Sequence, residues 1–237
     1  MGLNFWESES AAFFSERNKR RLHKLHSKIA TLIDDSSPER LLDYGCGKGD
    51  LVRYLDPTDG RQISLYDINE DRLIEAEENL DKYEVELIFD SEEIEEGQYD
   101  TIVLSMVLMC IEYRNEYRQL IKDLESYLSR CGNLIVSITH PCFLNKSFYG
   151  YENDFTKGNK KIDYFEEGMP YNVYMMDEDD MTFKFTDYFW SLSFTLNKFS
   201  EEELVLERML EIPDIESHDD VANSRFPPYL IIEFVKP

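Results

Sequence analysis

The feature that most constrains this chain is a glycine loop set directly after a short apolar run. Leu41-Leu42-Asp43-Tyr44 reads as a strand, and it continues into Gly45-Cys46-Gly47-Lys48-Gly49. Glycine lets the backbone take positive φ and lets a ligand approach without a Cβ clash. The helix expected after the loop presents free N–H groups at its start. The residues that follow alternate between two periods. Residues 50–55 predict a helix stopped near Pro57, and Gln62–Tyr66 predicts a strand ending at Asp67. Residues 69–83 form a charged amphipathic pattern with Leu73, Ala76 and Leu80 on its apolar stripe. Strands are predicted at 85–89, ending at Asp90, at 101–105, ending at Ser105, and at 133–139, with a helix at 115–128. Such alternation implies right-handed βαβ units on a parallel sheet.

On either side of this core the pattern differs. Residues of about 8–33 carry Phe13, Phe14, Leu22, Leu25, Ile29 and Leu32 at roughly helical spacing, and the run 34–38 ends that helix at Pro38. After His140-Pro141 the regularity stops, and residues 143–187 are rich in Tyr, Phe, Asp and Asn. They are expected to form an irregular insertion with a short antiparallel pair at 171–175 and 182–185. Long insertions of this kind tend to be lids or binding loops. Two strand-like runs, 204–212 and Tyr229–Val235, close the chain.

The chain has 237 residues, 42% hydrophobic and 14% aromatic, enough for one domain with a well-filled core. It carries 25 Lys+Arg against 49 Asp+Glu, a formal charge of −24, which disfavours broad binding to nucleic acid or anionic lipid. A local basic cluster, Arg17, Lys19, Arg20, Arg21, His23, Lys24, His26 and Lys28, reads as the solvated face of an amphipathic helix. The sharper alternative is an anion or partner site. Cys46, Cys110, Cys131 and Cys142 show no CxxC spacing and no zinc pattern, so no metal is expected. With no signal-peptide pattern and no apolar run of roughly 20 residues, the expectation is a cytoplasmic protein with no membrane segment.

Ligands of open α/β sheets bind beyond the carboxyl ends of the strands. Asp43, Asp67, Asp90 and Ser105 all fall at such ends. Singly, Asp67 and Asp90 would be helix N-caps. A dinucleotide dehydrogenase would place its third glycine at position 50, where Asp50 stands, and a phosphate loop would need Gly-Lys-Ser/Thr. In full, Asp43-Tyr-Gly45-Cys-Gly47-Lys-Gly49 resembles the acidic-x-Gly-x-Gly-x-Gly loop of class I S-adenosylmethionine-dependent methyltransferases. The resemblance covers residues 38–140, and the closing strand pair matches that family's β-hairpin.

The resemblance implies an α/β Rossmann-like sheet, mostly parallel, with an antiparallel C-terminal hairpin. Within one domain, 1–37 would be an N-terminal helical lid, 38–140 the cofactor-binding core, 141–200 a substrate-side insertion and 201–237 the closing strand pair. It implies S-adenosylmethionine as cofactor, leaving as S-adenosylhomocysteine. Asp43, Gly45, Cys46 and Gly47 would line the methionine and ribose part, Asp67 the ribose hydroxyls and Ile68 the adenine face. Asp90 and Ser91 would meet the adenine edge, and Ser105 would lie beneath the methionine.

For the acceptor, Ser105-Met106-Val107-Leu108 lacks the Asn/Asp-Pro-Pro-Tyr of amide and adenine methyltransferases. The segments 137–143 and 187–192 resemble small-molecule enzymes instead, with Phe189 where many have histidine. The expected acceptor is a small molecule methylated at oxygen or nitrogen. A non-catalytic cofactor-binding protein and an enzyme acting on protein or RNA are the alternatives. His140, at the end of the fifth strand, is the candidate base, with Tyr113 second. The other reading of His140 is a residue that bonds the backbone and fixes the turn before Pro141. The aromatics between Phe143 and Trp190 are candidates to wall the pocket, though most suit ordinary packing, and Phe5, Trp6, Phe13 and Phe14 are candidates to close the cleft. The chain is expected to be a monomer or homodimer.

Overall fold

The computed structural model describes residues 16–148, 151–176, 182–213 and 226–237. Phe5, Trp6, Phe13, Phe14 and Tyr149 lie outside them. The elements run α1 (Glu16–Ser36), β1 (Arg40–Tyr44), β2 (Gln62–Tyr66), α2 (Glu70–Asn79), β3 (Val85–Ile88), β4 (Tyr99–Ser105), α3 (Arg114–Tyr127) and β5 (Leu128–Thr139). Then come β6 (Tyr151–Asn153), β7 (Met169–Met176), β8 (Thr182–Phe189), α4 (Leu192–Glu201), β9 (Val205–Ile212) and β10 (Tyr229–Val235).

Seven strands form one sheet in the order β3-β2-β1-β4-β5-β10-β9. The first five are parallel, while β10 runs antiparallel between β5 and β9. Strand order reverses between β1 and β4, so the crevice at the carboxyl end of β1 opens there. The glycine loop stands at that switch point. The expected sheet and hairpin are therefore present.

Alternation along each strand sends side chains to opposite faces. Leu41, Leu65 and Val103 enter the core with α1 (Leu25, Ile29, Ile33) and α2 (Leu73, Ala76, Leu80). Leu42, Ile102 and Leu104 enter the other, with α3 (Tyr117, Ile121, Leu124) and Phe199 of α4. α2 is started by Asn69, whose side chain accepts from the N–H groups of Asp71 and Arg72.

Three expectations are revised. Residues 50–55 hold only one 3₁₀ turn, Val52–Tyr54. Gly49 at φ +74° and Pro57 bound it too closely for more. The insertion is more ordered than a single strand pair, because β6, β7 and β8 form a three-stranded antiparallel sheet. Its Tyr171, Val173 and Phe189 join the same core as α1. Finally α4, unforeseen in the sequence, is begun by Ser191, whose Oγ accepts from Phe194 N–H, and is anchored by Phe199 stacked on Phe234 at 4.3 Å.

Candidate functional site

The site begins with the turn after β1. The N–H groups of Gly45 and Cys46 both donate to the Tyr66 carbonyl, which ties the loop to the end of β2. Gly45 sits at φ +79°, and a Cβ there would come within 2.4 Å of Val107 Cγ2. Only glycine allows the loop to lie this close to the segment after β4. Gly47, at φ +56°, faces open space, so its side of the backbone is bare toward the crevice. Its N–H donates to Asp67 Oδ2 at 2.8 Å, and Asp67 Oδ1 accepts from Asn69 N–H at 2.9 Å. Asp67 thus fastens the loop to the start of α2 while each oxygen keeps a lone pair.

Asp43 is 2% exposed, and its Oδ2 has no hydrogen-bond partner among the described residues. Burial, with the Asp67 carboxylate nearby, pushes its pKa up to about 7. Asp67 is raised as well, by burial, although the N–H groups of Asn69 and Gly47 pull it down. Cys46 is buried beside both, and burial holds its thiol well above the usual range. Two adjacent carboxylates, one buried and one half-buried, gain from a cation or from O–H and N–H donors. The residues present therefore fit a ligand with an ammonium, a sulfonium and ribose hydroxyls.

Further along the crevice, Ile68 is 68% exposed and Phe89 48%, two large apolar side chains turned outward at the ends of β2 and β3. Asp90 is exposed and caps a 3₁₀ turn through Glu92 N–H, and the Ser91 carbonyl accepts from Tyr127 Oη at 3.4 Å. Ser105 Oγ lies 2.8 Å from Ser137 Oγ. The next residue, Met106, is left-handed at φ +60° and donates its N–H to the Ser137 carbonyl. A non-glycine residue held there carries backbone strain, a trait of ligand sites. Asp43, Gly45, Cys46, Gly47 and Asp67 are brought together; Asp90 and Ser91 lie apart from them at the end of β3.

His140 is buried, and both ring nitrogens are engaged. Nδ1 accepts from Cys142 N–H at 3.2 Å, and Nε2 stands 3.2 Å from Glu211 Oε1 on β9. Accepting at Nδ1 places the proton on Nε2, which donates to the carboxylate. Burial lowers its pKa, with Glu211 acting the other way. This geometry is that of the turn-fixing reading. Tyr113 is 53% exposed beside Glu112, whose carboxylate raises the phenol's pKa, so it is poorly suited to take a proton.

A small cavity of about 20 Å³ lies between the turn after β4 and the small sheet, walled in part by Leu108, Met109, Thr139, Tyr171, Tyr188 and Phe189. Beside it stands Asp187, 3% exposed and paired with Tyr171 across the β7–β8 ladder. Sequence reading named the aromatics but passed over Asp187. Its signal was a carboxylate between Phe185 and Phe189 on the buried face of a strand. Met106 left no such signal. Among the described residues no cluster could hold a metal ion, and no helix is long and apolar enough to cross a membrane.

Sheet order and the position of the glycine loop together define the class I methyltransferase fold. Residues 14–168 match the family model of a methyltransferase domain, and the chain belongs to that family. Among curated proteins it is 28% identical over 164 residues to one described as a probable S-adenosyl-L-methionine-dependent methyltransferase, TehB, from Haemophilus influenzae (strain 10810). The match takes in 65% of this chain and 56% of TehB, so it spans little more than half of that relative. Solved structures share the fold at low identity. The PH0226 protein of Pyrococcus horikoshii OT3 has a TM-score of 0.65 at 17% identity, covering 99% of this chain and 97% of its own. An S-adenosylmethionine-dependent methyltransferase from Clostridium acetobutylicum ATCC 824 has 0.65 at 14%, covering 98% and 96%. The N-methyltransferase NodS of Bradyrhizobium japonicum WM9, solved with S-adenosyl-L-homocysteine, has 0.60 at 12%, covering 95% and 90%.

Proposed function

We propose that this chain transfers a methyl group from S-adenosylmethionine to a small-molecule acceptor at nitrogen or oxygen. The observation that carries this reading is the buried Asp43, its pKa raised chiefly by burial, with an unbonded oxygen at the floor of the glycine loop. When bound, the cofactor supplies a methyl already activated by its sulfonium.

The chain's own residues then bind and align. Asp43, Gly45, Cys46 and Gly47 hold the methionine and ribose part, and the free lone pairs of Asp67 accept from the ribose hydroxyls. Ile68 lies against the adenine face, Asp90 and Ser91 meet its edge, and Ser105 supports the methionine from β4. His140 is a positioning residue that fixes the turn between β5 and the insertion. Methyl transfer is an in-line displacement, so alignment and exclusion of water by the small sheet supply much of the rate.

Asp67→Ala tests the reading. It should weaken S-adenosylmethionine binding by at least tenfold in calorimetry while far-UV circular dichroism stays unchanged. Unaltered affinity would remove Asp67 from the ribose, and with it the proposed pose.

A further inference from the structure

Resting on the assignment of Asp67 to the ribose hydroxyls, we infer that Arg72 is a positioning residue for the cofactor, a buried cation that keeps the Asp67 carboxylate charged and locks α2 to the glycine loop. Arg72 is 7% exposed, on the first turn of α2. That place is costly for a guanidinium, because burial disfavours its charge and the start of a helix is already positive. Its Nη2 is buried with no hydrogen-bond partner among the described residues. The carboxylates around it offset these costs. Nη1 lies 3.5 Å from Glu75 Oε2, and the charges of Glu75, Asp67 and Asp50 act against the effect of burial.

Two routes join Arg72 to the loop. Along the first, its own N–H donates to Asn69 Oδ1 at 3.4 Å, the Asn69 N–H donates to Asp67 Oδ1, and Asp67 Oδ2 accepts from Gly47 N–H. Along the second, Glu75 Oε2 lies 2.8 Å from Lys48 Nζ, and Asn79 Nδ2 donates to the Lys48 carbonyl. Gly47 and Lys48 are neighbours, so the two routes close a ring of contacts between loop and helix. Asp67 stands near the buried Asp43, and burial favours its neutral form; the N–H groups of Asn69 and Gly47 and the Arg72 charge pull the other way. Cys46, close to both, is held as a neutral thiol by burial. Arg53 is directed to Asp50 at 3.6 Å, so the cation that acts on Asp67 is Arg72. An ionised Asp67 accepts at both oxygens, whereas a protonated one gives up part of that capacity.

S-adenosylhomocysteine is the probe, because its sulfur is uncharged and its amino-acid end is a zwitterion, so losing a protein cation alters its attraction little. Its affinity for the full chain is measured by calorimetry from pH 5 to 8.5. Arg72→Met should move the acid limb of that affinity up by about one pH unit, which is about tenfold weaker binding below the limb. Arg72→Lys, which keeps the charge, should recover most of the shift. In Asp67→Asn the remaining acid limb belongs to Asp43, and adding Arg72→Met should leave the limb in place and the affinity within roughly twofold. An unmoved limb in Arg72→Met, an equal loss at every pH, or the same loss in the Asp67→Asn background overturns the inference. If Arg72→Met loses its fold by far-UV circular dichroism, Arg72→Lys against Arg72→Gln reads the same limb. Asp67→Asn binding as tightly as the wild type would overturn the ribose assignment instead.

Discussion

Asp43 carries an electrostatic conflict that only a ligand resolves. In the free protein its pKa stands at about 7 against an ordinary 3.8. The folded state therefore holds its proton more tightly than the unfolded chain does. The stability tied to that proton is complete below pH 3.8 and is lost as pH rises through 7. Asp43→Asn removes the charge with almost no change in shape. Without cofactor, the variant should match the wild type near pH 4 and become the more stable of the two as pH climbs to 7. The gap should then stay constant, at most on the order of 4 kcal/mol at about 1.4 kcal/mol per pKa unit. S-adenosylmethionine should shrink the gap, since its cationic groups favour the ionised carboxylate. Melting curves from pH 4 to 8, with and without cofactor, read both effects. A gap of equal size at pH 4 and pH 8 would show that Asp43 is already satisfied. Asp43 and Asp67 were legible in the sequence because each closes a strand at a fixed distance from the glycines. Met106 was not, since a left-handed methionine is imposed by the Ser137 carbonyl and the crowding of Val107 on Gly45, which are contacts across strands.

At the scale of elements, the turn after β5 is tied to its surroundings through His140. His140 caps the 3₁₀ turn Pro141–Phe143, its N–H donates to the Pro228 carbonyl, and its ring reaches Glu211 on β9. Losing such a cap costs about 1 kcal/mol. His140→Ala should lower the melting temperature by several degrees. His140→Asn, whose amide oxygen can still accept from Cys142 N–H, should recover most of that loss. If the role is positional, the pH profile of turnover in His140→Asn keeps the wild-type shape. Disappearance of an acid limb from that profile would make His140 the base. The same tertiary logic explains what sequence periodicity missed. The parallel core was readable because each βα unit carries its own apolar period. In contrast, Leu192–Glu201 is rich in Ser, Thr and Phe, weak helix formers, and is held by Ser191 and by burial of Thr195 and Phe199. The spacing Leu192, Thr195, Phe199 after a serine was the available cue, masked by the irregular residues before it.

The whole molecule's charge decides which large partners it can approach. With 49 acidic residues against 25 basic ones, an approaching nucleic acid meets net repulsion, strongest at low salt. A local exception would have to come from the basic run in α1. Two of its members are already engaged with the protein: His23 Nδ1 lies 2.9 Å from Tyr54 Oη, and His26 is buried with its ring edge-on to Tyr54 at 5.6 Å. The helix turns Leu25, Ile29 and Ile33 into the core. An arm that tracks a phosphate backbone would need several free cations along one face. Fluorescence anisotropy with a labelled 20-nucleotide RNA at 50 mM NaCl should therefore show no saturable binding at micromolar protein, with or without S-adenosylhomocysteine. Saturation there, weakening steeply as salt is raised and abolished when Arg17, Lys19, Arg20 and Arg21 are neutralised, would move the acceptor from small molecule to RNA. It would also show that a −24 chain can be overridden by one helix, with distant acidic residues screened beyond a Debye length of roughly 10 Å at 0.1 M salt.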